Sequence, residues 1–222
     1  MASTFFGLTN AYSGLQAANT SLTITGHNVS NINTKGYTKQ QAGTQAADAL
    51  RTHTTYGAIG SGVVVTEISQ IRDSYYDVKY RNNMANYGQY SVKESYMGQI
   101  EDYLDEFTLN GYSQEYKNFF SAVNLLTITP GDTSAKNQLI NNAKSLADYF
   151  NTLTTNLRNV QADANNEIKD AVQQINSYAK NIAALNRQIN QIEANYGNAN
   201  DLRDKRNAMI DELSEIVNLE TS

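Results

Sequence analysis

Residues 167–196 read EIKDAVQQINSYAKNIAALNRQINQIEANY, and within them Ile168, Ile175, Ile182, Ile189 and Tyr196 recur every seven positions. Ala171, Tyr178, Leu185 and Ile192 fill a second position three residues after each of the first four. On a helix this spacing lays a continuous apolar seam along one side, the pattern of a coiled coil. The seam residues expected to meet a partner helix are Ile168, Ile175, Tyr178, Ile182, Leu185, Ile189 and Ile192. Beyond the turn expected at Gly197, Leu202, Met209, Leu213 and Ile216 mark a last helix that folds back along the long one.

Moving toward the N-terminus, Phe150, Leu153, Leu157, Val160 and Ala164 keep the same rhythm. Joining the two frames takes a four-residue stutter near Glu167, which predicts local unwinding of the supercoil. Asp132 and Ser134 are capping residue types, so the helix is expected to start there and run toward Tyr196-Gly197. Its roughly 60 residues would span about 90 Å at about 1.5 Å per residue. A shorter helix carrying Tyr116, Phe119, Phe120, Val123 and Leu126 precedes it and stops before the only proline, Pro130. Before that, from Asp73 to the break at Asn110-Gly111, Tyr76, Tyr80, Tyr87, Tyr90, Met97, Leu104 and Phe107 follow helical spacing. A tyrosine-rich stripe of this kind suits a half-buried seam whose hydroxyls reach water.

The segment from Asn31 to Arg72 has a different character, with glycines at 36, 43, 57, 60 and 62 and β-branched runs such as Val63-Val64-Val65-Thr66. It reads as extended structure, a hairpin with a long irregular loop. The first 34 residues contain no Asp, Glu, Lys or Arg. Their apolar positions, Leu8, Ala11, Leu15, Ala18, Leu22, Val29 and Ile32, with Thr25 between, alternate steps of three and four. This stripe asks for a helix from outside to cover it, while Asn10, Ser13, Asn19, Thr20 and Thr23 form the opposite face. With modest propensity and no ion pairs, the helix is expected to be marginal alone. The fold class that follows is mainly α: an elongated bundle or coiled coil of long antiparallel helices with a small β-hairpin near the N-terminus. Its expected parts are an axial helix and turn (1–36), the hairpin (37–72) and a long-helix bundle (73–222).

Composition removes several function classes. A net charge of −5 without a dense Lys/Arg run excludes phosphate-backbone recognition, so no nucleic-acid partner is expected. The absence of cysteine removes disulfides, thiolate metal sites and cysteine nucleophiles together. His27 and His53 are isolated from ligand-type residues, so neither a metal nor another cofactor is expected. The acidic run Glu101-Asp102-Tyr103-Leu104-Asp105-Glu106 reads as a solvated helix face, and no catalytic triad, phosphate loop or dinucleotide fingerprint occurs. The chain is therefore not expected to be an enzyme. Residues 1–22 lack a basic leader and an unbroken apolar stretch, so neither a cleavable signal nor membrane insertion is expected.

Three groups of residues carry a likeness that periodicity does not supply. The first is Ser13-Gly14-Leu15-Gln16-Ala17 followed by Asn28-Val29-Ser30-Asn31-Ile32-Asn33-Thr34-Lys35-Gly36-Tyr37-Thr38-Lys39-Gln40. The others are Ile71-Arg72-Asp73 with Tyr80-Arg81-Asn82, and Asn200-Asp201-Leu202-Arg203-Asp204-Lys205-Arg206 with Asp211-Glu212-Leu213-Ser214. Together they resemble the bacterial flagellar axial proteins, and among them the hook-associated protein 1 family. The resemblance implies a structural subunit, exported through the flagellar type III apparatus without cleavage and assembled outside the cell between hook and filament. The implied partners are copies of itself, the hook subunit, a second junction protein and an export chaperone. The family's turn and motif positions fall on Ser13, Gly14, Asn28, Asn31, Asn33, Gly36 and Tyr37. Asn207 stands where the family often has Asp. Family members usually continue into a strand-rich region and a C-terminal helical segment. The cover for Leu8 to Ile32 is thus expected either from such a segment or from another molecule. A hook or rod subunit, and a soluble coiled-coil adaptor or chaperone, are the alternative functions.

Overall fold

The structure, a computed structural model, describes residues 5–51, 57–104, 111–195 and 197–220, with backbone alone for Leu50 and Arg51. His53, Phe107, Asn110 and Tyr196 lie outside these residues. Helix α1 (Phe6–Ser30) leads into strands β1 (Gln40–Ala46), β2 (Leu50–Arg51), β3 (Ala58–Ile59) and β4 (Val63–Gln70). Helices α2 (Ser74–Leu104), α3 (Tyr112–Ile128), α4 (Thr133–Glu193) and α5 (Asn200–Ile216) follow.

Helix α1 carries no Asp, Glu, Lys or Arg, and its hydroxyls turn back on the helix. Thr9, Thr20, Ser21, Thr23, Thr25 and Ser30 each donate to the carbonyl four residues earlier, at 2.8 to 3.1 Å. At its end the His27 carbonyl accepts twice from Asn31, from the backbone N–H at 3.1 Å and from the side-chain amide at 3.0 Å. The expected hairpin is present: β1 and β4 pair antiparallel from Gln40 opposite Gln70 to Ala46 opposite Val63. A shift between Gly43 and Thr44 leaves Thr66 as an extra residue in β4, a bulge. Within the long connection β2 and β3 form a second small antiparallel pair. Helix α1 lies against both β1 and β4.

Capping sets the later helix starts. The Asp73 carboxylate accepts from the Tyr75 N–H at 2.9 Å at the head of α2, and Asp132 accepts from the Ser134 N–H at 2.8 Å at the head of α4. Helix α4 runs unbroken for 61 residues, through Glu167. Helix α3 ends before Thr129-Pro130-Gly131, and the Gly197 N–H closes the end of α4 by donating to the Ile192 carbonyl at 3.2 Å.

The chain divides into two compact units, residues 1–84 with 176–222, and residues 85–175. In the second, Tyr112, Tyr116, Phe120 and Phe150 form a chain of ring contacts and Ala122 and Ala135 are buried. Tyr96 donates to the Glu167 carboxylate, and that hydrogen bond pushes the phenol up to about 12. In the first unit the buried positions include Ala17, Ile24, Ile189, Ala199, Leu213 and Ser214. The tyrosine stripe departs from expectation, since Tyr76, Tyr80, Tyr87, Tyr90 and Met97 are exposed. The face of α2 turned inward instead carries Asp77, Arg81 and Met84. An ion pair between Arg81 and Asp211 at 2.8 Å fixes that rotation, so charge pairing and not ring burial orients the helix.

Candidate assembly surface

Helix α1 has two faces in different surroundings. One is docked within the molecule: Ala17 and Ile24 are buried, Ser13 Oγ accepts from the Val63 N–H at 3.2 Å, and Asn10 donates to the Gly60 carbonyl at 3.4 Å. Gly62 (φ +108°) closes this contact, because a Cβ there would lie 2.2 Å from Ser13 Oγ. The hydrogen-bonding residues of this face are among those that sequence reading set opposite the apolar stripe. The other face carries that stripe in the open. Leu8, Leu15, Leu22, Val29 and Ile32 are between 65% and 77% exposed, and Ala11 and Ala18 are exposed with them.

The turn after α1 is held by side chains that copy backbone pairing. Asn28 donates to the Gln40 carbonyl and accepts from the Gln40 N–H, both at 2.9 Å, as a neighbouring strand would. Its Oδ1 also accepts the Tyr37 hydroxyl at 2.7 Å, and the Tyr37 ring stands edge-on to His27. Burial, with Asp201 and Asp204 nearby, raises the Tyr37 phenol above its ordinary value. Asn31 caps the helix, whereas Asn33 is exposed in the turn. Gly36 is needed for two reasons: its φ is +80°, and a Cβ would sit 2.9 Å from Ala208 Cβ on α5. Gly14 has open space around it.

This turn is latched to α5, which sequence reasoning did not foresee. The buried Asp204 carboxylate accepts from the Thr38 N–H at 3.0 Å and from Gln70 Nε2 at 2.8 Å. Gln40 donates to Asp201 at 3.2 Å, and exposed Lys35 pairs with Glu212 at 2.9 Å. Arg72 donates to Thr38 Oγ1 at 3.2 Å and to Asp77 at 2.6 Å, and it approaches Asp211 at 3.6 Å, where Arg81 also binds. The three sequence groups quoted above, far apart in the chain, thus converge on one network. Their joint occurrence was the only signal available, and it could not say which residue touches which.

The seam residues fall unevenly. Ile189 and Leu213 are buried, Ile175, Tyr178, Ile182, Leu185, Leu202 and Met209 are half-buried, and Ile192 and Ile168 are exposed. Tyr178 donates to Glu212 at 3.3 Å, and Arg203 grips Glu193 through Nε and Nη2 at 2.6 and 2.7 Å, tying α5 to the end of α4. Among the described residues no group of three His, Cys, Asp or Glu is arranged to hold a metal, and no helix is long and apolar enough to cross a membrane.

Comparison with known proteins adds the family. The model of the family described as flagellar hook-associated protein FlgK helical domain matches residues 97–222. Flagellar hook-associated protein 1 of Bacillus subtilis is 32% identical over 227 residues, covering 100% of this chain and 45% of that protein. The protein of the same name from Escherichia coli is 31% identical over 97% of this chain and 39% of its own length, and that of Salmonella typhimurium is 32% identical over the same shares. The chain thus spans less than half the length of these relatives. Since the family match covers more than half of the chain and the likeness to the relatives runs through all of it, the chain belongs to the flagellar hook-associated protein FlgK family.

Proposed function

We propose that this chain is a structural subunit of the bacterial flagellum at the junction of hook and filament, where the exposed stripe of α1 is covered by helices of neighbouring axial proteins. The observation that carries the reading is the division of α1 into a docked face and an open apolar face. Covering the five large residues of the stripe would contribute about 1–2 kcal/mol each before the cost of association. The lack of charge on α1 suits this role, because like charges repeated around a ring of subunits repel at close range. The shared name of the relatives, hook-associated protein, agrees with the position. In this reading residues 1–36 serve as the axial helix and turn, 37–72 as a hairpin that aims it, and 73–222 as the outer bundle, including the seam from Ile168 to Leu213. Export occurs without cleavage, with a chaperone holding the subunit, and the helix gains its full order on assembly.

The test is Leu15→Asp with Leu22→Asp in the full-length gene, carried by cells whose own copy is deleted. Both side chains point away from the docked face, so the purified subunit should keep its circular dichroism while filaments fail to attach and the subunit is shed into the medium. Normal filament attachment with this variant overturns the reading. Labelled subunit along the whole hook, instead of a short zone at its tip, would replace it with a hook or rod role.

A further inference from the structure

A polar cavity of about 680 Å³ opens in the first unit between the β4–α2 segment, the end of α4 and α5. Four arginines line it: Arg72, Arg81, Arg203 and Arg206. Three are matched to carboxylates, Arg72 with Asp77 and Asp211, Arg81 with Asp211, and Arg203 with Glu193. Arg206 is different. Among the described residues it reaches no carboxylate oxygen, and its guanidinium donates only to amide oxygens, of Asn207 at 3.1 and 3.4 Å and of Asn186 at 3.5 Å. Burial and then the neighbouring charges of Arg203 and Arg81 lower its pKa, so the surroundings on balance disfavour its positive charge despite the pull of Glu193. Glu67 and Glu220 also line the cavity, and both are exposed. A half-buried guanidinium with weak acceptors, facing open volume beside further arginines, is suited to receive a planar or tetrahedral oxyanion.

We propose that the cavity is an oxyanion-binding site centred on Arg206, taking a phosphate-type ion or the carboxylate of another polypeptide. The site is independent of the junction role and stands or falls separately. Asn207 is the residue that leaves the Arg206 charge unmatched by a carboxylate. Its Oδ1 occupies the position against Arg206 Nε and Nη2 that a carboxylate oxygen would take, and an aspartate there would satisfy Arg206 from within the chain.

The experiment follows the Arg206 Nε–H signal by NMR during titration of the whole chain with inorganic phosphate and, in a second arm, acetate, each against chloride at matched ionic strength. The expected result is a saturable shift of that signal. Preference for phosphate identifies a tetrahedral ion, and equal or stronger response to acetate identifies a carboxylate side chain as the ligand class. Asn207→Asp should weaken the binding at least tenfold while keeping the fold, as judged by circular dichroism, and Arg206→Gln should abolish it, read from the backbone signals around residue 206. No saturable shift with either anion overturns the proposal. So does undiminished binding by Asn207→Asp, which holds even if Arg206→Gln does not fold.

Discussion

Replacing Asp204 by alanine would measure the latch that joins the turn after α1 to α5. The carboxylate is buried and accepts two hydrogen bonds, from the Thr38 N–H at 3.0 Å and from Gln70 Nε2 at 2.8 Å. Gln70 retains a second acceptor, the Asn200 carbonyl at 2.9 Å, so its share of the loss is small. Thr38 is buried as well, and its N–H would be left without the acceptor it has now, a penalty of about 1–3 kcal/mol. Together with the loss of a charge-assisted bond the expected destabilisation is about 3 kcal/mol. For a protein of this size that lowers Tm by about 6–12 °C. Asp204→Asn keeps the shape and one acceptor oxygen and should cost about half as much. Thermal unfolding followed by circular dichroism gives the stability, and hydrogen exchange at the Thr38 amide reports whether the latch itself has opened. If Asp204→Ala melts within about 2 °C of the unmodified chain and Thr38 stays equally protected, the reasoning from this carboxylate is wrong.

Gly36→Ala should cost about 1–3 kcal/mol in urea unfolding, because it adds left-handed strain to a contact of 2.9 Å with Ala208; pairing it with Ala208→Gly should recover the contact part only. Asp211→Ala removes the carboxylate shared by Arg72 and Arg81 and should destabilise by about 2–4 kcal/mol, whereas Leu-for-Ile168 on the exposed side of α4 should change unfolding by less than about 0.5 kcal/mol. The hydrogen bonds from Arg203 hold the Glu193 carboxyl below its ordinary 4.5, with burial opposing. A depressed carboxyl stabilises fully above its unfolded value and loses that contribution as pH falls through the folded value, so stability should decline on acidification below about pH 4.5. Glu193→Gln should flatten that part of the pH–stability curve while costing less than about 1 kcal/mol at neutral pH, since the pair is partly exposed.

Helix existence and type were legible wherever a long period met a capping residue. The spacing of Ile168 through Ile192 foretold α4, and Asp73 and Asp132 marked helix starts where their carboxylates do accept backbone N–H groups. Seven-residue spacing reports that one side of a helix is apolar. It does not report how far along that side the protein itself supplies cover, which is why Ile189 is buried while Ile168 is exposed in the same seam. The tyrosines of α2 show the opposite limit. Their spacing is helical, yet the helix turns Arg81 inward, because a buried guanidinium must meet a carboxylate and Asp211 lies 130 residues away in sequence.

What the sequence determined by itself was local and periodic: the helices, the hairpin, the turn at Gly36, and an uncharged first helix with an apolar stripe along one side. Those follow from backbone sterics, capping and the 3.6-residue repeat, which depend on near neighbours alone. What only the tertiary structure decided was partnership: that Asp204 receives Thr38, that Asp211 is shared by two arginines, and that α1 docks with Ser13 and Asn28, leaving Leu15 and Leu22 open. Such pairings depend on which distant groups the folded chain brings within about 3 Å, and no single sequence records that distance.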